Sequence, residues 1–228
     1  MPPFPRRFLR AILVQKAGGG MTGMAYRIKI IDDLSELGKG NTAEINIYNW
    51  GGGYRPVSKA VLCFVRGKGF AVRLTSEETS PRATQTEPDS RVWEDSCLEF
   101  FANFQPQMPG SGYLNFECNA LGAMLCCYGG PSGPGARRVP VVELGCPHPR
   151  PRVIRTADTW GWELLVPLSM LRTVYGAAEF HSGDEIRGSF YKCGDLTERP
   201  HYGSYTKIDW PTPDFHCPES FAEMILTD

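Results

Sequence analysis

The sequence predicts an all-β fold, an antiparallel β-sandwich of jelly-roll or immunoglobulin-like arrangement with one or two short helices. Three observations predict it. Short runs alternate apolar with polar residues at the two-residue period of a strand with one face buried. The chain carries 25 Gly and 19 Pro in 228 residues, with 11% aromatic side chains, which suits many strands joined by turns. No heptad stretch and no repeat of solenoid or propeller length is present. A chain of this length buries a sizeable core as one domain, expected over residues 24–228, with residues 1–23 a flexible tail or a misassigned start.

Each element follows from local pattern. Tyr26 to Ile31 is a short strand, and Thr42 to Tyr48 alternates Ala43, Ile45 and Ile47 against polar neighbours before Gly51-Gly52-Gly53 breaks the chain. Ala60 to Val65 and Phe70 to Leu74 form a hairpin across Arg66-Gly67-Lys68-Gly69, where glycine permits positive φ. Ser76 to Arg91, with Glu77, Glu78, Glu87 and Asp89, is a long acidic surface loop, and long loops inside compact domains are often functional. From Cys97 to Phe104, strand parity puts Leu98, Phe100, Ala102 and Phe104 on one face and Cys97, Glu99, Phe101 and Asn103 on the other. Tyr113 to Cys118 likewise separates Leu114 and Phe116 from Tyr113, Asn115 and Glu117, and Leu121 to Tyr128 returns across Asn119-Ala120. Gly129 to Gly135 is a loop too irregular to cradle phosphate.

Trp160 to Val166 is a strand whose two tryptophans are structural; Pro167 ends it, and Leu168 to Tyr175 turns into helix. Asp184 to Cys193 is a further strand. A loop rich in rings follows, with His201, Tyr202, Tyr205, Trp210, Phe215 and His216, before a last strand at Phe221 to Leu226.

Composition excludes several partners. A formal net charge of -1 provides no basic field for nucleic acid or an anionic membrane. Arg10 interrupts the only N-terminal apolar patch before it reaches signal-peptide length, so the chain as written is expected to be cytoplasmic, or extracellular if its natural N-terminus is missing. Of the 8 cysteines, Cys63, Cys97, Cys118 and Cys193 sit in strand-like runs where a reduced thiol packs as a small hydrophobe. His201, His216, Cys193 and Cys217 can converge on a metal from two segments, yet no C-x-x-C or H-x-x-x-H frame supports one.

The segment Val92-Trp93-Glu94-Asp95-Ser96-Cys97-Leu98-Glu99-Phe100-Phe101 carries the most chemistry. An indole stacks on the C–H face of a pyranose, and carboxylates take up its hydroxyls. The alternative is a core strand entered through a buried Trp. Together with Pro81-Arg82-Ala83, the Y-x-N-F-E strand from Tyr113, the G-W-E step from Gly161 to Pro167, Phe190-Tyr191-Lys192-Cys193-Gly194-Asp195 and Pro213-Asp214-Phe215-His216-Cys217-Pro218-Glu219, it resembles carbohydrate-binding module family 9, stand-alone members of a DOMON-like group of sandwich domains.

That resemblance spans the chain after Tyr26. It implies a non-catalytic domain that clamps a mono- or oligosaccharide between two aromatic rings in support of polysaccharide catabolism. Trp93 matches the first ring and Phe215 the second, with Trp210 as a nearby alternative. Glu99 matches the hydrogen-bonding acid. Lys192 stands where the family carries an amide and Glu117 where it carries a basic residue, and these two can also pair with each other across strands. His201 and His216 are further candidates for a sugar hydroxyl. No cofactor is expected, although family members often hold structural calcium, for which Asp95 and its acidic loop are the candidates. Two other functions remain open on the residues alone: a glycoside hydrolase using Glu99 and Glu117, and a DOMON-like haem domain using Met124 and His201.

Overall fold

The computed structural model describes residues 25–130 and 137–228. The expected N-terminal tail, and most of the Gly129 to Gly135 loop, lie outside the described residues. The strands run β1 (Tyr26–Ile31), β2 (Thr42–Glu44), β3 (Ile47–Gly51), β4 (Ser58–Val65), β5 (Gly69–Glu77), β6 (Cys97–Asn103) and β7 (Tyr113–Asn119). They continue as β8 (Met124–Gly129), β9 (Arg138–Pro140), β10 (Arg152–Arg155) and β11 (Thr159–Pro167), then helix α1 (Leu168–Tyr175), β12 (Glu185–Cys193), β13 (His201–Ser204) and β14 (Ala222–Thr227).

One sheet links them in the order β10-β11-β5-β4-β1-β14-β12-β6-β7-β8-β9, with β2, β3 and β13 attached beside it. It curls so that its two halves face each other as a sandwich. Ile28, Leu62, Phe70, Leu74 and Trp162 from one half meet Leu98, Phe100, Phe116 and Phe190 from the other in one buried core. Burial of each such large apolar side chain contributes about 1.5–3 kcal/mol. Pairing is antiparallel throughout except at β1, which lies parallel to both β4 and β14 and joins the two halves.

Local chemistry sets the element ends. In the β4–β5 hairpin Gly67 and Gly69 take φ of 67° and 140°, and a Cβ on Gly69 would stand 2.1 Å from the Val166 carbonyl oxygen. After β7, the Asn119 side chain accepts hydrogen bonds from Leu121 N and Ala123 N, both at 3.1 Å. The return strand therefore starts at Met124, later than the apolar run from Leu121 suggests. The expected strand from Thr42 to Tyr48 is divided, because β2 pairs with β4 whereas β3 leaves it for β13. Alternation specifies which side chains are buried, and does not specify which neighbour the backbone chooses.

Strands β6, β7 and β12 are buried on both faces. The inner face belongs to the main core. The outer face carries a second cluster, in which Phe101, Tyr113, Tyr191 and Cys193 are covered by Phe215, Cys217 and Phe221 from the chain that leads to β14. That covering layer stops short of the far end of the sheet, and a cavity remains there.

Candidate functional site

The cavity, of about 330 Å³, stands on the outer face of β6, β7, β8 and β12. Its floor follows from register. Glu99 on β6 lies opposite Glu117 on β7 and, on its other side, opposite Tyr191 on β12; Glu117 lies opposite Leu125 on β8. Parity that sends Leu98 and Phe100 into the core thus sends both acids outward, into the cavity. Cys193 also lines it, and its thiol donates to Glu99 Oε1 at 2.9 Å.

Two aromatic residues form its walls. Trp93 sits in a single 3-10 turn, Val92–Glu94, tied down where Asp195 N donates to the Trp93 carbonyl at 3.1 Å and Leu196 N to the Glu94 carbonyl at 3.0 Å. Phe215 stacks on Tyr191 with centroids 4.3 Å apart and planes 11° from parallel, so one face is fixed against the sheet. Beside it His216 stacks on Phe101 at 4.8 Å, and its Nδ1 pairs with the Tyr113 hydroxyl at 2.8 Å. Arg138, Asp195, Tyr202 and Asp214 add further polar groups to the lining, beside Leu125, Cys127 and Pro213.

The floor carboxyls are almost without water. Glu99 and Glu117 are 2% and 3% exposed, and burial is the leading cause that raises both above the ordinary carboxylate range. Glu99 is pushed well up by burial and then by the neighbouring Cys193 and Glu117; Glu117 is pushed up to about 7, against the stabilising bond from Asn115 Nδ2 at 2.9 Å. With Glu117 titrating near neutrality and Glu99 pushed upward by burial, the pair is not fully ionised at pH 7. It offers O–H donors as well as acceptor oxygens, the complement of a hydroxyl that gives one hydrogen bond and takes another. His216 is held neutral, down at about 3, by burial and by Arg138.

Of the residues expected from the sequence, Trp93, Glu99, Glu117, Phe215 and His216 meet at this cavity. Lys192 and His201 do not. Lys192 points to the opposite face of β12, fully buried, where Nζ reaches Ser96 Oγ at 2.9 Å, the Cys193 carbonyl at 2.9 Å, His201 Nε2 at 2.6 Å and Glu78 Oε2 at 3.2 Å. The cross-strand pair of Lys192 with Glu117 is thereby replaced by Lys192 with Glu78, since successive strand residues face opposite ways and Glu117 faces the cavity. Burial would raise Glu78, but Lys192 with bonds from Ser96 and Trp160 holds it down at about 2. His201 is held at about 4 by burial and Lys192, with Nδ1 donating to the Arg199 carbonyl at 2.8 Å and Nε2 receiving from Lys192.

Trp210 is 49% exposed outside the cavity lining, its carbonyl accepting from Trp50 Nε1 at 2.8 Å. Asp95 is buried and accepts from Thr84 N, Thr84 Oγ1, Gln85 N and Asn119 Nδ2 at 2.7–2.9 Å, with Arg82 Nε at 3.3 Å. Its oxygens are fully engaged as the anchor of the 82–85 loop, which leaves none for a calcium ion. Met124 packs in the main core and both ring nitrogens of His201 are taken, so the two do not form a haem ligand pair.

Sequence reasoning overlooked Arg138, Tyr202, Asp195 and Asp214. Asp195 closes the segment from Phe190 that carries Lys192, and Asp214 immediately precedes Phe215. Arg138 and Tyr202 sit on the short strands β9 and β13, of three and four residues, which lack a readable alternation.

Among solved structures, a candidate carbohydrate-binding protein from Bacteroides uniformis matches at 22% identity with a TM-score of 0.71, over 88% of this chain and 97% of that one. A carbohydrate binding module family 9 from Caldicellulosiruptor kristjanssonii matches in complexes with glucose and with cellotriose, each at 13% identity, TM-score 0.59 and 88% of this chain, over 95% and 93% of theirs. No curated protein matches. The model of carbohydrate-binding family 9 matches residues 30–226, and the chain belongs to that family.

Proposed function

We propose that this protein binds the end of a neutral saccharide non-catalytically, seating one ring between Trp93 and Phe215 with its hydroxyls on Glu99, Glu117 and His216. The observation that carries the reading is the cavity with aromatic walls over a floor of two adjacent, incompletely ionised carboxyls. At about 330 Å³ it lies at the small end of ligand pockets, roughly 300–1,000 Å³, and suits one or two sugar units better than a long chain. The glucose and cellotriose complexes of the Caldicellulosiruptor module support a gluco-configured ligand. Eight free, buried thiols support a reducing, cytoplasmic setting, in which the saccharide is an internalised oligosaccharide or a glycoconjugate of the cell, and the role is in carbohydrate catabolism.

Titration calorimetry against glucose, cellotriose and a panel of mono- and oligosaccharides tests this. Binding is expected to be enthalpy-driven, and Trp93→Ala to weaken it by about tenfold or more, the loss of one stacking wall. Unchanged affinity in that variant would remove the cavity as the site. Hydrolysis is disfavoured by the placement of the acids: both rise from one floor, whereas a glycosidase pair flanks the scissile bond. Release of sugar from aryl-glycosides that Glu99→Gln abolishes would reverse that conclusion.

A further inference from the structure

Beneath the saccharide cavity, two thiols and a carboxyl converge. Cys97 on β6 is the register partner of Cys193 on β12, and Glu99 follows two residues along β6 on the same outer face. The two sulfurs and a Glu99 oxygen lie within 4.8 Å of one another, and all three residues are buried. Besides Glu99, the two thiols pair with each other, and their other contacts are weak: Cys193 Sγ approaches the Trp93 carbonyl at 3.7 Å and Cys97 Sγ that of Leu98 at 3.9 Å.

We propose that Cys97, Cys193 and Glu99 form a three-ligand site for a thiophilic divalent ion of the zinc class, with its fourth position facing the cavity. Tetrahedral zinc with bonds of about 2.3 Å to sulfur and 2.0–2.2 Å to oxygen places its ligand atoms roughly 3.6–3.8 Å apart. Side-chain rotation of about 1 Å brings the three to that spacing without backbone movement, since the two strands are locked by the ladder between them. Two sulfurs and one oxygen select a borderline-soft ion over calcium or magnesium, which require oxygen shells. Entry is available because Cys193 and Glu99 line the cavity. The surroundings favour a cation: Asp195 and Asp214 line the same cavity, against Arg138 as the one lysine or arginine among the described lining residues. On binding, the two thiol protons, with the proton that Glu99 holds, leave to solvent through the cavity as the sulfurs become thiolates and the carboxyl a carboxylate.

Cobalt(II) added to the reduced full-length protein tests this directly. One ion per chain is expected, with a thiolate-to-cobalt charge-transfer band in the near ultraviolet and the intense visible bands of a tetrahedral site. Zinc should displace both. Cys97→Ala and Cys193→Ala, each verified as folded by circular dichroism, should lose the charge-transfer band, and Cys146→Ala should retain it. Glu99→Gln should keep the band while weakening binding by about tenfold or more. X-ray absorption on zinc-loaded wild-type protein needs no variant, and should find two sulfur scatterers with oxygen. Absence of the thiolate band in folded, reduced protein, survival of the band in either alanine variant, or an all-oxygen shell would each overturn the site. Saccharide affinity is measured separately, so loss of either reading leaves the other standing.

Discussion

Lys192 and Glu99 illustrate how one residue of register decides a role. Both are buried polar side chains on paired strands, yet Glu99 faces the cavity whereas Lys192 faces the core end of the sandwich. Motif matching placed Lys192 at the sugar, but strand parity places its neighbour Cys193 there instead. Substituting Lys192→Met should cost about 3–5 kcal/mol, because Glu78 is left as a buried charge without its cation. Denaturant titration should find part of that loss recovered in Lys192→Met combined with Glu78→Gln, while saccharide affinity in the folded variants stays unchanged. Equal instability of the single and double variants would mean that packing, and not charge, governs this position.

Among the elements, the segment from Ser76 to Arg91, with Asp95 just beyond it, shows what alternation misses. It reads as a solvated acidic loop, and its two ends are instead pinned. Glu78 enters the ionic cluster at one end, and at the other Asp95 gathers four hydrogen bonds from Thr84, Gln85 and Asn119. Asp95→Ala should therefore cost about 2–4 kcal/mol in urea unfolding, the usual penalty for leaving buried donors unsatisfied. The hairpins, α1 and the two-faced β6 and β7 were legible because glycine turns, proline stops and strict alternation each have one physical meaning. Strands β9, β10 and β13 were not, since three or four residues carry too few alternations to be distinguished from loop. The cavity walls were legible in Trp93 and Phe215; the second lining shell depends on tertiary folding and left no local trace.

For the whole molecule, buried titrating groups act in opposite directions with pH. His201 titrates at about 4 in the fold against an ordinary 6.5, so as pH falls the unfolded chain takes the proton first and stability is lost between about 6.5 and 4. His216, at about 3, acts the same way. Glu117, raised to about 7 from 4.5, contributes fully below 4.5 and loses its contribution as pH rises through 7. The stability curve should thus be a dome with limbs of different origin. In His201→Gln the change in unfolding free energy from pH 7 to pH 5 should be more favourable than in wild type by about 2 kcal/mol, measured by denaturant titration at each pH. Parallel curves for the two proteins would mean that this imidazole does not titrate across the transition.

The parallel strand β1 has a consequence in time as well as in space. It bridges β4, its early neighbour, to β14, where Tyr26 pairs with Met224, far along the sequence. During synthesis the β4–β5–β11 half can assemble as it emerges, while β1 keeps one edge open and β12 lacks its β14 partner until Ala222–Thr227 leave the ribosome. Strand β14 thus acts as the keystone of a nascent arch, and a transcript ending before it would yield two unjoined half-sheets with exposed, aggregation-prone edges.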